Sequence, residues 1–342
     1  MRSPRAGIPP WSPSVSRERS TFRKWLLRAS KLLIVLLVLW ALRQTLEDAW
    51  SQLGEYQWRV RPGWVLASGI LYLLGLLLAG IYWHHVLLVL GQDARLGESL
   101  RAYFVGHLGK YVPGKAMVVV IRTAMVRGRR VDTSIAAASV FFETLTMMAV
   151  GAFLAALVLA VGFRGEAPKF WGAVGLMLVA GLPTLPIIFK RLARLAGVGR
   201  SSPGLSLKLD NLGCGTLLRG WALMTLAWAL LGLSYWATLQ AMAIPGLDPI
   251  GELPRYTAAV ALAMVAGFLL LVSPGGIGVR EAALVALMIP YLKTLSPHPE
   301  LAAWASAAVL RLVWLGAELV ISAALYPMRE APLRWITERF RH

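Results

Sequence analysis

The sequence predicts an all-α, polytopic membrane protein: a helix bundle of six full crossings plus two re-entrant, broken-helix hairpins, arranged as an inverted repeat. Three observations lead there. Of 342 residues, 57% are hydrophobic and 15% charged, whereas soluble domains carry about a quarter charged residues. Uncharged runs long enough to cross a bilayer recur along the chain, and two more apolar stretches are broken at their middles by Pro and Gly. Lys and Arg, finally, gather in alternate loops.

The same composition excludes other classes. An excess of 35 basic over 17 acidic residues, +18 overall, points in a soluble domain to nucleic acid. These apolar runs are far longer than a nucleic-acid-binding fold uses. Nucleic acid is therefore excluded as a partner, and the basic excess reads as membrane topology and contact with anionic lipid. The single cysteine, Cys214, leaves no disulfide framework and no Cys-rich metal site.

In chain order, residues 1–22, rich in Pro, Ser and Arg, read as a disordered basic cytoplasmic tail that touches anionic headgroups. Residues 23–328 form the membrane domain, and 329–342 a short cytoplasmic tail. The first apolar run, at 32–42 and extended by Trp25–Leu27, follows Arg23, Lys24, Arg28 and Lys31 in the manner of a signal peptide. No small-residue cleavage site follows Trp40-Ala41-Leu42-Arg43, so it reads as a retained helix. Runs at 64–90, 144–162, 170–189, 221–243 and 302–326 complete the six crossings, each needing roughly 20 residues for a core of about 30 Å. Trp25, Trp64, Trp171, Trp221 and Trp304 fall at the proposed helix ends, where interfacial indoles belong.

The two interrupted stretches behave differently. Ser99–Val126 holds Arg101, His107, Lys110, Lys115 and Arg122, with Pro113-Gly114 at its middle. Tyr256–Pro290 is broken by Ser273-Pro274-Gly275-Gly276-Ile277-Gly278. As one helix the second would be about 52 Å long, and its halves are too short for two comfortable spans. Pro removes a backbone donor and Gly permits a tight bend, so two half-helices in a hairpin fit the length. Broken backbone at membrane depth is tolerated where protein or a wet cavity surrounds it.

Charge discriminates between topologies. With both stretches returning to the side they entered, the cytoplasmic segments hold 24 Lys and Arg and the external ones 7, while acids divide 7 and 7. That asymmetry is the positive-inside pattern, and it places both termini in the cytoplasm of a plasma (inner) membrane protein. The first hairpin then enters from the cytoplasm and the second from outside. An Ala-rich helix follows each, Ala136–Glu143 and Ala305–Arg311. Helix, broken hairpin, helix in opposite orientation is the pattern of an inverted repeat with a polar site at the midplane.

Seven charged residues remain at membrane depth: Lys110, Lys115, Glu143, Arg280, Glu281, Arg311 and Glu318, joined by His107. Each is expensive in lipid, roughly 3 kcal/mol for Arg, Lys or Asp, so they should face one another or water. Arg311 and Glu318 share a helix face, being seven residues apart. Glu143 has no charge near it in sequence and most needs a partner. In Pro274-Gly275-Gly276-Ile277-Gly278-Val279-Arg280-Glu281 the loop opens a half-helix whose free N–H groups favour an anion. Pro113-Gly114-Lys115 does the same and adds a cation. Together these suit a lipid phosphate; the competing reading is that Pro and Gly only kink packed helices and the charges form structural ion pairs. His84 and His85 read as interfacial, and His298 lies in a loop without companion ligands. No HExxH, P-loop or GxSxG occurs, so no metal, cofactor or catalytic residue is expected.

Tyr103-Phe104-Val105-Gly106-His107-Leu108-Gly109-Lys110-Tyr111-Val112-Pro113-Gly114-Lys115, followed by Arg122 and Glu143, resembles the first signature of the lysylphosphatidylglycerol synthase transmembrane-region family. Ser273-Pro274-Gly275-Gly276-Ile277-Gly278-Val279-Arg280-Glu281 with Arg311 resembles its second and more specific one. The resemblance covers roughly 30–326. It implies a flippase-like bundle with two re-entrant hairpins that moves or grips phospholipids or lipid-linked sugars, with Tyr111 and Arg122 added to the site. The family's named member carries a soluble domain that transfers lysine from tRNA to phosphatidylglycerol. About 16 residues follow the last predicted helix here, so that domain is expected to be absent and the chain not to be an enzyme. The leading expectation is a translocase whose partners are anionic or phosphate-bearing membrane lipids. The alternative is an accessory, lipid-presenting subunit of a separately encoded glycosyl- or aminoacyl-transferase. Among the carboxylates, Glu143 is expected to matter more for lipid movement than Glu318.

Overall fold

In the computed structural model, the residues described are 60–111, 116–126, 131–162, 211–269 and 278–326, with scattered positions between 171 and 191. All belong to the second of the two units into which the chain divides, Thr45–His342. The expected spans at 32–42 and 170–189, both tails, and Pro113, Gly114, Lys115, Pro274, Gly275 and Gly276 lie outside the described residues or only partly within them.

The described residues form helices. α1 is Pro62–Val89, α2 Leu96–His107 continued by a 3-10 turn at Leu108–Tyr111, α3 Ala116–Val126, and α4 Thr133–Gly162. α5 is Cys214–Ala241, α6 Leu253–Leu269, α7 Val279–Leu292, and α8 Pro299–Leu325. Among them α1, α4, α5 and α8 are long and apolar enough to cross a membrane. Their outward faces are apolar, with Leu66, Ile70 and Leu74 exposed on α1 and Leu312, Leu319 and Val320 on α8. Ser, Thr, Arg and Glu lie buried among them. Helix α4 starts earlier than its uncharged run, at Thr133 rather than 144. It runs through Glu143 because that carboxylate is paired inside the bundle.

The short helices make two antiparallel pairs. At 12, 11, 17 and 14 residues, α2, α3, α6 and α7 are each about 16–26 Å long, short of a 30 Å core. Gly106 and Gly109 let α2 lie directly on α3: a Cβ at Gly106 would sit 2.4 Å from Arg122 Cγ, and one at Gly109 2.6 Å from the Val118 nitrogen. In the other pair the Tyr256 and Tyr291 hydroxyls meet at 3.0 Å where α6 begins and α7 ends. Each pair is thus two short helices packed antiparallel.

The long helices α1 and α5 cross antiparallel. Ser68 bonds Ser234 and Thr238, a Cβ at Gly75 would meet Leu231 and the Ala227 carbonyl, and one at Gly220 would meet Tyr82. Exchanging α1 with α5, α2 with α6, α3 with α7 and α4 with α8 maps the α1–α5 pair onto itself and every other well-packed helix pair onto another. Such an exchange, across two antiparallel helices, is a pseudo-twofold about an axis perpendicular to them. Gly80 follows Pro62 by the same 18 residues as Gly232 follows Cys214. Gly80 makes room for Leu100 and Tyr103 of α2, and Gly232 for Thr257 of α6.

Candidate functional site

Among the described residues, the charges inside the bundle gather in three groups around this crossing. In the first, the 3-10 turn at the end of α2 carries Lys110 inward to α8. Lys110 Nζ donates to Glu318 Oε1 at 2.5 Å and to the Tyr72 hydroxyl at 3.2 Å. The Tyr72 hydroxyl also donates to Glu318 Oε1. His107 Nε2 stands 3.4 Å from that hydroxyl and 3.7 Å from Glu318 Oε1. Lys110 Nζ lies 5.1 Å from the centre of the Tyr111 ring and 5.9 Å from that of Tyr72. Oε1 thus takes the contacts of Lys110, Tyr72 and His107. The other, Oε2, is buried with no hydrogen-bond partner.

A second layer extends the group. Tyr72 stacks on Trp314, with ring centres 4.2 Å apart and planes 11° from parallel. The Arg280 guanidinium lies over the far ring at 4.5 Å from the Trp314 centre. Trp314 is fixed by its own N–H, which donates to Ser234 Oγ at 2.9 Å and so ties the platform to the α1–α5 crossing.

The other two groups are ion pairs within a hairpin and its following helix. Arg122 on α3 donates to Glu143 on α4 at 2.7 Å, with both side chains at most 3% exposed. Tyr103 donates to the second Glu143 oxygen at 3.1 Å, and the guanidinium lies 3.8 Å from the Tyr103 ring centre. Arg311 on α8 is paired with Glu281 on α7. Glu281 also accepts the Gly278 N–H at 2.7 Å, and Gly278 itself adopts φ +85°, a conformation glycine permits. The first turn of α7 thus holds its own carboxylate, which takes up part of the anion-attracting capacity the sequence assigns to it.

The predicted residues His107, Lys110, Tyr111, Arg280, Glu281, Arg311 and Glu318 are therefore brought together around Tyr72 and Trp314. Arg122 and Glu143 form their own pair, linked to the rest where the His107 ring stacks on Tyr103 at 6.0 Å. His84 and His85 go elsewhere, to Ser99 and Arg219. Tyr72 and Trp314 are functional-site neighbours that the sequence does not single out, whereas Tyr103 opens the first signature without being assigned to the site. Trp314 left a signal of its own, standing three residues after Arg311 and four before Glu318 on the same face.

Charge counting singles out one residue. Lys110, Arg122 and Arg311 each face a glutamate, while Arg280 faces an indole. With His107 neutral, the described buried group holds four cations and three carboxylates and keeps one positive charge in excess.

The sequence model of one family, described as lysylphosphatidylglycerol synthase TM region, matches residues 28–315. No curated protein and no solved structure matches the chain at a significant level.

Proposed function

The chain belongs to the lysylphosphatidylglycerol synthase transmembrane-region family, and on that premise we propose that its buried polar group binds the phosphate-bearing headgroup of a membrane lipid and carries it across the bilayer. The observation that supports this most is the excess cation: Arg280 lies over Trp314, and among the described residues no carboxylate forms an ion pair with it. A guanidinium on an aromatic face keeps its N–H edges free, and their fork geometry matches a phosphate. Partly screened from water and without an ion-pair partner among the described residues, such a cation favours an arriving anion.

The same reading takes the two hairpins as re-entrant, entering from opposite sides, and the pseudo-twofold as lying in the plane of the membrane. Both termini are then cytoplasmic in a plasma membrane protein. Antiparallel α1 and α5 support an inverted rather than a parallel repeat, because two helices related by an axis along the membrane normal would run the same way.

Binding and movement of labelled phosphatidylglycerol and of labelled diglucosyl diacylglycerol, a neutral lipid without phosphate, in proteoliposomes test the proposal, with glycerol phosphate as a soluble competitor. Wild-type protein is expected to move the anionic lipid. Arg280→Ala is expected to weaken its binding by about 1.5–3 kcal/mol, the worth of a charged hydrogen bond, and that of the neutral lipid less. Equal losses for both lipids would refute phosphate recognition by Arg280. Glycerol phosphate competing as well as the lipid would assign the site to a soluble anion. Binding without movement would assign the chain to lipid presentation beside a separate transferase.

A further inference from the structure

The contacts of Glu318 differ from those of Glu143 and Glu281. Those two carboxylates are paired with a cation on a neighbouring element of their own hairpin–helix unit. Glu318, on α8, is paired across the pseudo-twofold with Lys110, on the hairpin of the other half. Its side chain is 1% exposed, that of Lys110 20%. The cation therefore stands on the open side of the pair and the carboxylate on the closed side. Lys110 has three N–H donors and, among the described residues, gives two of them, to Glu318 and Tyr72.

Resting on the lipid reading above, we infer that binding of an anionic headgroup is coupled to uptake of one proton by Glu318. A phosphate drawn to Arg280 arrives beside the stack Arg280–Trp314–Tyr72, whose last ring carries Lys110 on its hydroxyl. It competes with Glu318 for that lysine. If the phosphate takes the ammonium, Glu318 is left as a buried carboxylate with no cation, an arrangement far less favourable than a neutral acid. The proton comes from water and bonds to the carboxylate, whose Oε2 has no hydrogen-bond partner. No other bond forms or breaks. Phosphate plus proton leaves the net charge of the group as it was, one positive in excess.

The neighbours of Glu318 on every packed element allow this exchange. From α1 it meets Tyr72, which donates to it in either state. From α2 and its 3-10 turn come His107, Lys110 and Tyr111. Helix α7 brings Arg280 and Glu281, and α8 itself brings Arg311, already held by Glu281. Helix α5 brings Ser234, which accepts the Trp314 N–H and carries no charge. Arg280 is the remaining cation, and the arriving phosphate occupies it. His107, 3.7 Å away, is the competing proton acceptor, and the experiment separates the two.

The test is calorimetric titration of the purified full chain in detergent with dihexanoyl phosphatidylglycerol, in two buffers of different ionisation enthalpy. Wild-type protein is expected to take up about one proton per lipid bound, and its affinity to fall as pH rises, by at most about tenfold per pH unit. Glu318→Gln is expected to bind with no proton uptake. Lys110→Met reaches the same end by another route, since Glu318 without its lysine is neutral before lipid arrives. Either variant suffices if the other fails to fold. Binding heats independent of buffer in the wild type would overturn the coupling and leave lipid binding standing. Uptake that persists in Glu318→Gln and disappears in His107→Gln would overturn the assignment to Glu318. Folded wild-type protein giving no binding heat at all would overturn the lipid reading and the coupling with it.

Discussion

The two halves of the bundle solve one electrostatic problem with opposite signs. In α1–α4 the hairpin supplies the arginine, Arg122, and the following helix the glutamate, Glu143. In α5–α8 the hairpin supplies the glutamate, Glu281, and the following helix the arginine, Arg311. The helices correspond under the pseudo-twofold and the polarity does not. What the hairpin–helix junction requires is a neutral buried pair that joins the two elements; which side carries the cation is free. Features that the halves share in this way are architecture. The Lys110–Glu318 contact and the Arg280–Trp314 stack have no described counterpart in the opposite arrangement, so they are where function is to be sought.

The largest way to break this comparison is to remove one partner of a shared pair. Arg122→Ala or Glu143→Ala leaves a charge buried against aromatic rings, and is expected to destabilise by about 3–5 kcal/mol. Thermal unfolding in detergent measures it. The double variant Arg122→Glu, Glu143→Arg gives the first half the polarity of the second and is expected to recover much of the loss. No recovery would show that Tyr103 and Trp83, which flank the guanidinium at 3.8 and 5.5 Å, fix the sign. The sequence ranks Glu143 above Glu318 for lipid movement. The contacts favour the reverse, because Glu143 is enclosed by its own arginine and Tyr103 while Glu318 bridges the halves.

A smaller effect separates Gly80 from Gly232, which occupy equivalent places on α1 and α5. A Cβ at Gly232 would stand 2.9 Å from the Thr257 Cα and nitrogen, so backbone must move. At Gly80 the nearest atom, at 2.9 Å, is the tip of Leu100, which can turn aside. Gly232→Ala is expected to destabilise by about 1–3 kcal/mol, and Gly80→Ala by less. The same unfolding assay checks the order. Equal costs would mean that the Tyr103 ring, 3.2 Å from the position at Gly80, is as immobile as backbone.

How much of this was readable beforehand depended on whether the signal was local. The breaks in both hairpins followed from chain length and the punctuation of Pro and Gly, and the described helices stop and start on either side of them. The shared face of Arg311 and Glu318 followed from helical spacing, and both are buried. Partner choice did not follow. Arg122 reaches Glu143 because Gly106 and Gly109 set how closely α2 lies on α3, and that register is a property of packed surfaces. Tyr72 sits in an apolar run of α1 where nothing in the sequence distinguishes it from a lipid-facing aromatic. Its role appears only when α8 brings Trp314 and Glu318 against it.

The smallest expected effect concerns how the two post-hairpin helices begin. Helix α4 is capped by Asp132, whose Oδ1 accepts the N–H groups of Ser134 and Ile135 at 2.8 and 3.1 Å. These are second- and third-position amides that the helix itself leaves unpaired. Helix α8 begins at His298, which makes no side-chain cap, and has proline at its first position. Proline lacks the N–H that would otherwise need a partner and already holds the required φ, so less remains for a cap to add. Asp132→Ala is therefore expected to cost about 1 kcal/mol. His298→Asp, which gives α8 the cap of α4, is expected to gain less than that, because His298 has contacts of its own to lose. Amide hydrogen exchange at the first turns of α4 and α8 reads both changes locally: faster exchange at Ser134 and Ile135 in the first variant, slower exchange at Glu300 and Leu301 in the second. A gain at α8 as large as the loss at α4 would show that the proline contributes nothing to that helix start, and the two halves would then differ in their caps alone.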